Sequence, residues 1–211
     1  MKDNSIRIAN CSGFYGDKLS IARDMIEGGP IDVLTGDYLA ELTMTILYNQ
    51  KLKRGEEHGY VGTFLKQFKD VAKLAQEKDI KIVTNAGGLN PSSMAAAVEE
   101  IVQELNLDLK VAYIEGDDLM PRIDELYKGG ETLTNIDKAL DLQNYKKKPI
   151  TANAYLGAWG IKEALDNGAD VVICPRVTDA AVVIGPAAWK YNWSRDQYDK
   201  LAGALAAGHI I

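Results

Sequence analysis

Five short apolar runs, rich in valine and isoleucine, constrain the fold of this chain more than any other feature. They are Ile6–Ala9, Ile31–Thr35, Ile80–Thr84, Lys110–Ile114 and Asp170–Cys174. A strand that is apolar at nearly every position is buried on both faces, as in a parallel sheet between two helix layers. The sequence therefore predicts a Rossmann-like three-layer α/β/α fold with a mainly parallel sheet and right-handed crossovers.

Apolar residues at helical spacing lie between these runs and predict the connecting helices. The predicted core positions are Leu19, Ala22 and Ile26, then Leu39, Leu42, Ile46 and Leu47, then Phe64, Phe68, Val71 and Leu74, and finally Val98, Ile101, Val102 and Leu105. The 211 residues are expected to form a single α/β domain. Its last residues, LAGALAAGHII, are typical of a helix and the beginning of a strand, so we expect the chain to be the N-terminal portion of a longer architecture.

Residues 119–150 interrupt the alternation of strands and helices. This stretch contains Pro121, a pair of glycines and many charges, and it is longer than a usual connection. We interpret it as an insertion after the fourth strand, with a short helix near Arg122–Tyr127. It is either a mobile lid over a site or a surface decoration.

Composition excludes some classes of function. The net charge of −6 argues against a nucleic-acid surface, which needs concentrated lysine and arginine. No apolar stretch approaches the roughly 20 residues that cross a bilayer, and the N-terminus lacks the apolar core of a signal peptide, so we expect a cytoplasmic protein without a membrane partner. Cys11 and Cys174 are predicted to be buried free thiols.

The loops that follow the predicted strands are the candidate binding site, because ligands of parallel sheets bind at the carboxyl ends of the strands. The first such loop contributes Ser12, Gly13 and Tyr15 as substrate-binding candidates. Asp17 is able to cap a helix that begins near Lys18, where free backbone N–H groups attract anions. The glycine spacing matches neither a dinucleotide fingerprint nor a Walker loop.

The stretch VTNAGGLNP follows the third run and has the same plan. Gly87 and Gly88 allow the main chain to approach a bound group closely, and Asn85 and Asn90 offer amides, which makes all four substrate-binding candidates. Asn90 is also a predicted N-cap, with Pro91 at the first helical position. The alternative is a turn that only requires positive φ angles.

Four acidic residues are the catalytic candidates. Asp37 and Glu41 are spaced to share a helix face, although Asp37 is equally suited to be an N-cap. Glu115 and Asp117 flank a glycine and suit a divalent cation, a hydroxyl-rich ligand or general acid–base chemistry; solvated loop acids are the alternative. With His58 and His209 as the only histidines, the chain has no zinc pattern, and we expect no role for His58.

Arg176 follows the fifth run and is placed to bind a carboxylate or phosphate through two hydrogen bonds. Its alternative is a structural ion pair with Asp179, which is also a substrate-binding candidate. Tyr155, in the segment before this strand, completes the set, and Trp159 is predicted to lie in the core.

With these residues in view, the sequence resembles the N-terminal part of the acyclic terpene utilisation (AtuA-like) family. The matching phrases are RIANCSGFYGDKLSIARDMIEGGPIDVLTGDYLAELTM, VTNAGGLNP, VAYIEGDDL, ANAYLGAWGIKEAL, ADVVICPRVTDAAVVIGPAAW and AGHII. Cys174-Pro175 departs from the small residue expected before Arg176. The resemblance implies a link with the breakdown of branched, terpenoid-like acids through acyl-CoA thioesters.

The leading hypothesis is an enzyme, of lyase or hydrolase type, that acts on a small branched-chain or terpenoid acid or on its acyl-CoA thioester. A divalent cation is a candidate cofactor, and self-association or a partner subunit is expected. The alternative is a non-catalytic metabolite-binding or scaffold subunit. The small residues of 202–208 and the apolar Ile210 and Ile211 are expected to form an apolar surface that a partner covers. A nucleotide-dependent oxidoreductase is the weakest option.

Overall fold

A computed structural model describes residues 5–146 and 148–211 of the chain and confirms the predicted three-layer α/β/α class. Its five strands form one all-parallel sheet in the order β1-β2-β3-β5-β4. The strands are β1 (Ile8–Asn10), β2 (Val33–Gly36), β3 (Lys81–Thr84), β4 (Val111–Tyr113) and β5 (Val171–Ile173). Each strand lies within or beside one of the five apolar runs.

Helices cover both faces of this sheet. They are α1 (Ile21–Gly28), α2 (Glu41–Arg54), α3 (Gly62–Glu77), α4 (Pro91–Glu104), α5 (Ile123–Lys128), α6 (Trp159–Asp166), α7 (Ala181–Lys190) and α8 (Tyr198–Gly208). Helices α1, α3 and α4 pack on one face, while α6 and α7 pack on the other and α8 packs against α7. Within the described residues, no helix has the length and apolarity needed to cross a membrane.

Alternating side chains of the strands explain why the runs are apolar throughout. In β3, Ile82 lies in the core on the α1, α3 and α4 side, whereas Val83 lies in the core on the opposite side. In β2, Leu34 and Val33 divide in the same way. Successive strand residues point to opposite faces, so a sheet with helices on both sides needs an apolar residue at each position.

The order of the strands reverses beside β3 and β5, which makes their carboxyl ends the switch point of the sheet. Helix α4 leaves β3 on one face of the sheet, and α7 leaves the neighbouring β5 on the other face. The helices that follow these two strands therefore lie on opposite faces of the sheet. The crevice at such a switch point, outside the carboxyl ends of the strands, is where ligands of open α/β sheets bind.

Most of the predicted helical core is observed, with α2 as the main exception. The side chains of Phe64, Phe68 and Val71 in α3 are buried. In α2 the prediction was wrong for Leu42, which is 72% exposed, because the helix buries Thr43, Met44 and Leu47 instead. Leu19 and Ile46 are also exposed.

Other local predictions have mixed outcomes. Cys11 and Cys174 are buried free thiols, as predicted. The predicted cap of α4 is confirmed, since Asn90 accepts a hydrogen bond from the Ser93 N–H at 3.2 Å. Trp159 is only half-buried, with the Arg195 guanidinium 5.2 Å from its ring centroid. Residues 209–210 form a turn, so the strand predicted after α8 is not seen.

The insertion starts and ends at one place beside the sheet. The Leu119 N–H donates to the Ala152 carbonyl at 2.7 Å, and an isolated bridge joins Asp118 to Asn153. Between these stems, the predicted short helix is confirmed as α5, which follows a 3₁₀ turn at Met120–Arg122. The return stem at Ala152 and Asn153 leads directly to Tyr155.

Candidate functional site

Polar residues that follow three adjacent strands meet at this switch point. Asp37 follows β2, Asn85 follows β3 and Arg176 follows β5, and these strands are neighbours in the sheet. Parallel strands bring their carboxyl ends to one edge, so residues far apart in sequence become neighbours. We refer to Asp37, Glu41, Tyr155, Arg176 and Asp179 as the Arg176 cluster.

A fully buried asparagine holds the carboxylate of Asp37. The Asn85 Nδ2 donates to Asp37 Oδ1 at 2.5 Å, and the Asn85 Oδ1 accepts from the Tyr38 N–H at 2.8 Å. The Asp37 N–H donates to the Ser12 carbonyl at 2.9 Å. Burial raises the pKa of Asp37; the hydrogen bond from Asn85 partly offsets this, and the nearby Asp179 adds to the rise. Asp37 is half-buried, so solvent still reaches it.

The guanidinium of Arg176 is buried and binds protein groups. Its Nη1 donates to Asp179 Oδ1 at 3.0 Å, to the Leu39 carbonyl at 3.2 Å and to the Val177 carbonyl at 3.3 Å. The Tyr155 ring lies over it, with 4.0 Å between Cζ and the ring centroid. This geometry differs from the expected direct capture of a ligand carboxylate or phosphate and agrees with the alternative ion pair to Asp179.

Glu41 and Tyr155 close the outer side of the cluster. The Tyr155 hydroxyl donates to Glu41 Oε1, and that oxygen lies 3.8 Å from Arg176 Nη2. The hydrogen bond from Tyr155 is the main cause that lowers the pKa of Glu41. The Glu41 side chain is 81% exposed and Tyr155 is half-exposed, so both can meet a ligand.

The relation between Asp37 and Glu41 is not the predicted one. Helix α2 begins at Glu41 with Ala40 as its N-cap, so Asp37 lies outside the helix and does not cap it. The two carboxylates therefore do not share a helix face. They are related through Arg176, whose charge favours the ionised form of each.

The other two predicted catalytic acids lie elsewhere. Asp117 is only 4% exposed, and its Oδ2 accepts from Asn153 Nδ2 at 2.8 Å and from the Arg176 backbone N–H at 3.2 Å. Burial raises the pKa of Asp117. Its bonds tie the loop after β4 to the insertion stem and to the loop after β5. Glu115 is exposed at the end of the edge strand β4.

The first glycine loop binds its own aspartate. The Asp17 Oδ2 accepts from the Gly13 N–H at 2.7 Å and from the Phe14 N–H at 3.3 Å, and the Ser12 hydroxyl donates to it at 3.3 Å. Helix α1 begins at Ile21 with Ser20 as its N-cap, so the prediction that Asp17 caps it near Lys18 was wrong. The loop amides expected to be free for an anion are occupied by a protein carboxylate.

The second glycine loop packs against protein rather than leaving room for a ligand. A Cβ at Gly87 would lie 2.6 Å from the Cys174 carbonyl oxygen, which accepts the Gly87 N–H at 3.1 Å. Gly88 has φ +56°, and a Cβ there would lie 2.3 Å from Leu47 Cδ1. The alternative of a structural turn therefore fits better. Asn90 is also structural, because besides its cap it donates to the Glu56 carbonyl at 2.8 Å.

Tyr15 is the remaining substrate-binding candidate of the first loop. It lies away from the Arg176 cluster. Its hydroxyl accepts from Gln50 Nε2 at 3.1 Å in a separate cavity.

Across residues 5–146 and 148–211, no group of three or more His, Cys, Asp or Glu side chains is arranged to hold a metal ion.

Sequence reasoning missed two contributors. Asn153 was not a candidate, and its bond to Asp117 spans 36 residues. The Leu39 carbonyl, which accepts from Arg176, lies 137 residues away from it along the chain. A pattern within one segment carries no signal for either contact.

Comparison with known proteins assigns the chain to a family. The model of the acyclic terpene utilisation family protein AtuA matches residues 6–211. No curated protein and no solved structure matches the chain. The matched region includes every strand, every helix and the whole Arg176 cluster. The chain therefore belongs to the acyclic terpene utilisation AtuA family.

Proposed function

We propose that this protein is an enzyme that acts on a small branched-chain or terpenoid organic acid, or on its acyl-CoA thioester, in the cytoplasm. Asp37 is the general acid–base. The observation that carries the proposal is the state of this carboxyl: its pKa is raised, it is held by a buried amide, and it is still reached by solvent. A carboxyl with a raised pKa can exchange protons closer to neutral pH than an ordinary one.

The cluster divides the work of a lyase or hydrolase among its members. Asp37 takes a proton from the substrate, either from a carbon next to the carbonyl or from an attacking water, and returns it in the second half of the reaction. The Asn85 amide keeps the carboxyl oriented through both protonation states. The exposed edge of Tyr155 and the carboxylate of Glu41 contact the substrate at the opening of the crevice.

Arg176 is a positioning residue in this mechanism. Its guanidinium joins the segment before α2, through the Leu39 carbonyl, to the ring of Tyr155 and the carboxylate of Asp179. It also contributes a buried positive charge that favours the ionised forms of Asp37 and Glu41. Planar stacking and several directed hydrogen bonds are properties that lysine does not reproduce.

A substrate screen tests the proposal. The wild-type protein is incubated with panels of branched free acids and their acyl-CoA thioesters, with and without Mg²⁺ or Mn²⁺, and products are detected by mass spectrometry. Turnover is expected for at least one acid or thioester, and the Asp37→Asn variant should lose that turnover. Asp199→Asn is the matched control, because Asp199 is an exposed carboxylate in the first turn of α8. Equal turnover by wild type and Asp37→Asn would contradict the assigned role.

A non-catalytic metabolite-binding or scaffold subunit is the second candidate. It is favoured by one observation: α2 leaves Leu42 and Leu52 exposed by 72% and 66%. Exposed apolar side chains on one helix are typical of a surface that binds another protein or a second copy. Ligand binding without turnover, together with a dimer that Leu42→Ser/Leu52→Ser dissociates in light scattering, would support this candidate.

A further inference from the structure

A cavity of about 290 Å³ lies between the end of α2 and the beginning of α3, away from the Arg176 cluster. Its size is at the lower end of the range for small-molecule pockets. The polar side chains that matter for its chemistry are those of Tyr15, Arg54, His58, Tyr60, Thr63 and Lys66. None of its lining residues carries a carboxylate.

The two cations of this cavity, Arg54 and Lys66, are exposed to solvent. On the same helices, Lys51 pairs with Glu56 at 2.9 Å and Lys69 pairs with Glu104 at 2.6 Å. Among the described residues, neither Arg54 nor Lys66 makes an ion pair. The carboxylates of Glu57 and Glu100 act on Tyr60 of the same wall but do not line the cavity, so Arg54 and Lys66 are its charged lining groups.

The third basic residue of the cavity has an unmet hydrogen-bonding group. The Nδ1 of His58 is buried and has no hydrogen-bond partner within the part of the chain that the structure describes. Glu57 Oε1 lies 3.3 Å from it, but outside hydrogen-bonding geometry. A buried polar atom without a hydrogen-bond partner destabilises the fold unless another group satisfies it. His58, for which the sequence predicted no role, therefore lies on the wall of the cavity, with its Nδ1 buried beside Glu57.

We propose that this cavity binds a phosphate group. Arg54 and Lys66 supply the charge, and the hydroxyls of Tyr60 and Thr63 supply further hydrogen bonds. The cavity also borders the start of α3, which has no side-chain cap and no acidic residue in its first turn. Several donors around one small cavity suit a phosphate, which has more oxygens and more charge than a carboxylate.

The position of the cavity also suggests a class of ligand, and this part rests on the proposed function. Glu41 of the Arg176 cluster and Arg54 of the cavity stand at opposite ends of α2, about 20 Å apart at 1.5 Å per residue. Leu42, Ile46 and Gln50 continue at four-residue spacing towards Arg54, and Leu42 and Ile46 are exposed. An elongated phosphate ester bound at the cavity can extend its acyl arm along this side of α2 to the cluster.

Calorimetric titration with inorganic pyrophosphate tests the phosphate site. Binding is expected in the wild type, with the Kd raised about tenfold or more in Arg54→Ala/Lys66→Ala, because two charged contacts are removed. Lys53→Ala/Lys73→Ala is the matched control, since it removes two exposed cations from the same two helices outside the cavity. Asp37→Asn is expected to bind pyrophosphate as the wild type does, which separates this site from the proposed catalysis.

Three results would overturn the phosphate site: no heat of binding, an equal loss in the two double variants, or tighter binding of acetate than of pyrophosphate. Inorganic phosphate, ADP and a branched acyl-CoA then identify the source of the phosphate. The elongated ligand is supported if three results agree. The acyl-CoA binds best, its binding is weakened only in Arg54→Ala/Lys66→Ala, and the free acid binds both double variants equally. If the acyl-CoA binds both double variants equally, that ligand class is wrong.

Discussion

Asp37 and Asp117 have similar surroundings but different proposed roles. Each follows a strand of the sheet, each accepts a hydrogen bond from an asparagine amide, and the pKa of each is raised by burial. Asp117 is 4% exposed and also accepts the Arg176 backbone N–H. Asp37 is half-buried and faces the charged side chains of Arg176 and Asp179.

The difference teaches that a raised pKa by itself does not identify a reactive carboxyl. Asp117 stands beside the edge strand β4, where its bonds hold the insertion stem and the loop after β5 together. Asp37 stands over the inner strands, beside the switch point at β3 and β5. Buried polar networks also stabilise structure, so access to solvent and to a crevice has to be shown as well.

The largest expected effect is on turnover in Asp37→Asn. Asparagine keeps the shape of the side chain but cannot exchange a proton, so turnover should fall about 10²- to 10⁴-fold. Its unfolding free energy, measured in urea, should not fall, because the buried charge is removed with little change of shape. Asp117→Asn should keep most of the turnover, and the opposite pattern in the two variants would reverse the assignment.

Asp117→Ala should instead lower stability. It leaves the buried Arg176 N–H and the half-buried Asn153 Nδ2 without their acceptor, and a buried group left unpaired costs about 1–3 kcal/mol. The loss is measured by urea unfolding. Asp118→Ala is the neighbouring control, since among the described residues the Asp118 carboxylate accepts only from the exposed Met120 N–H, at 2.9 Å. Equal losses in the two variants would show that Asp117 does not join the loops.

Gly88 and Gly13 show the same contrast, because Gly88 packs against protein and Gly13 has open space beside it. Gly88→Ala should destabilise the fold by about 1–3 kcal/mol, because the residue has φ +56° and its Cβ would meet Leu47. Gly13→Ala should change stability by no more than about 0.5 kcal/mol, since nothing lies within 4 Å of its Cβ. Thermal unfolding of both variants checks this ordering.

The smallest expected effect is a pH dependence of Asp37. As a base it must be ionised, so turnover should fall as the pH drops through a pKa above the ordinary value of about 3.9. For stability, a raised pKa means that ionised Asp37 weakens the folded state at high pH and that this penalty disappears on acidification. The stability of Asp37→Asn relative to the wild type should therefore decrease as the pH falls, in urea unfolding at several pH values.

The sequence by itself determined the layers of this protein. Apolar runs burying both faces, such as the one containing Ile82 and Val83, predicted the parallel sheet, and the pattern from Phe64 to Val71 predicted α3. The Asn90 cap was predicted as well. These features depend on periodicity and on groups within a few residues of each other, so the local sequence contains their cause.

Only the tertiary structure decided what the loop residues contact. The sheet brought Asp37, Asn85 and Arg176 to one edge, as the strand pattern implied. The amides of Gly13, the space around Gly88 and the guanidinium of Arg176 were nevertheless taken up by protein partners. Whether a polar group binds a ligand or the fold depends on which segments pack beside it. Those segments lie up to 137 residues away, where no local pattern reports them.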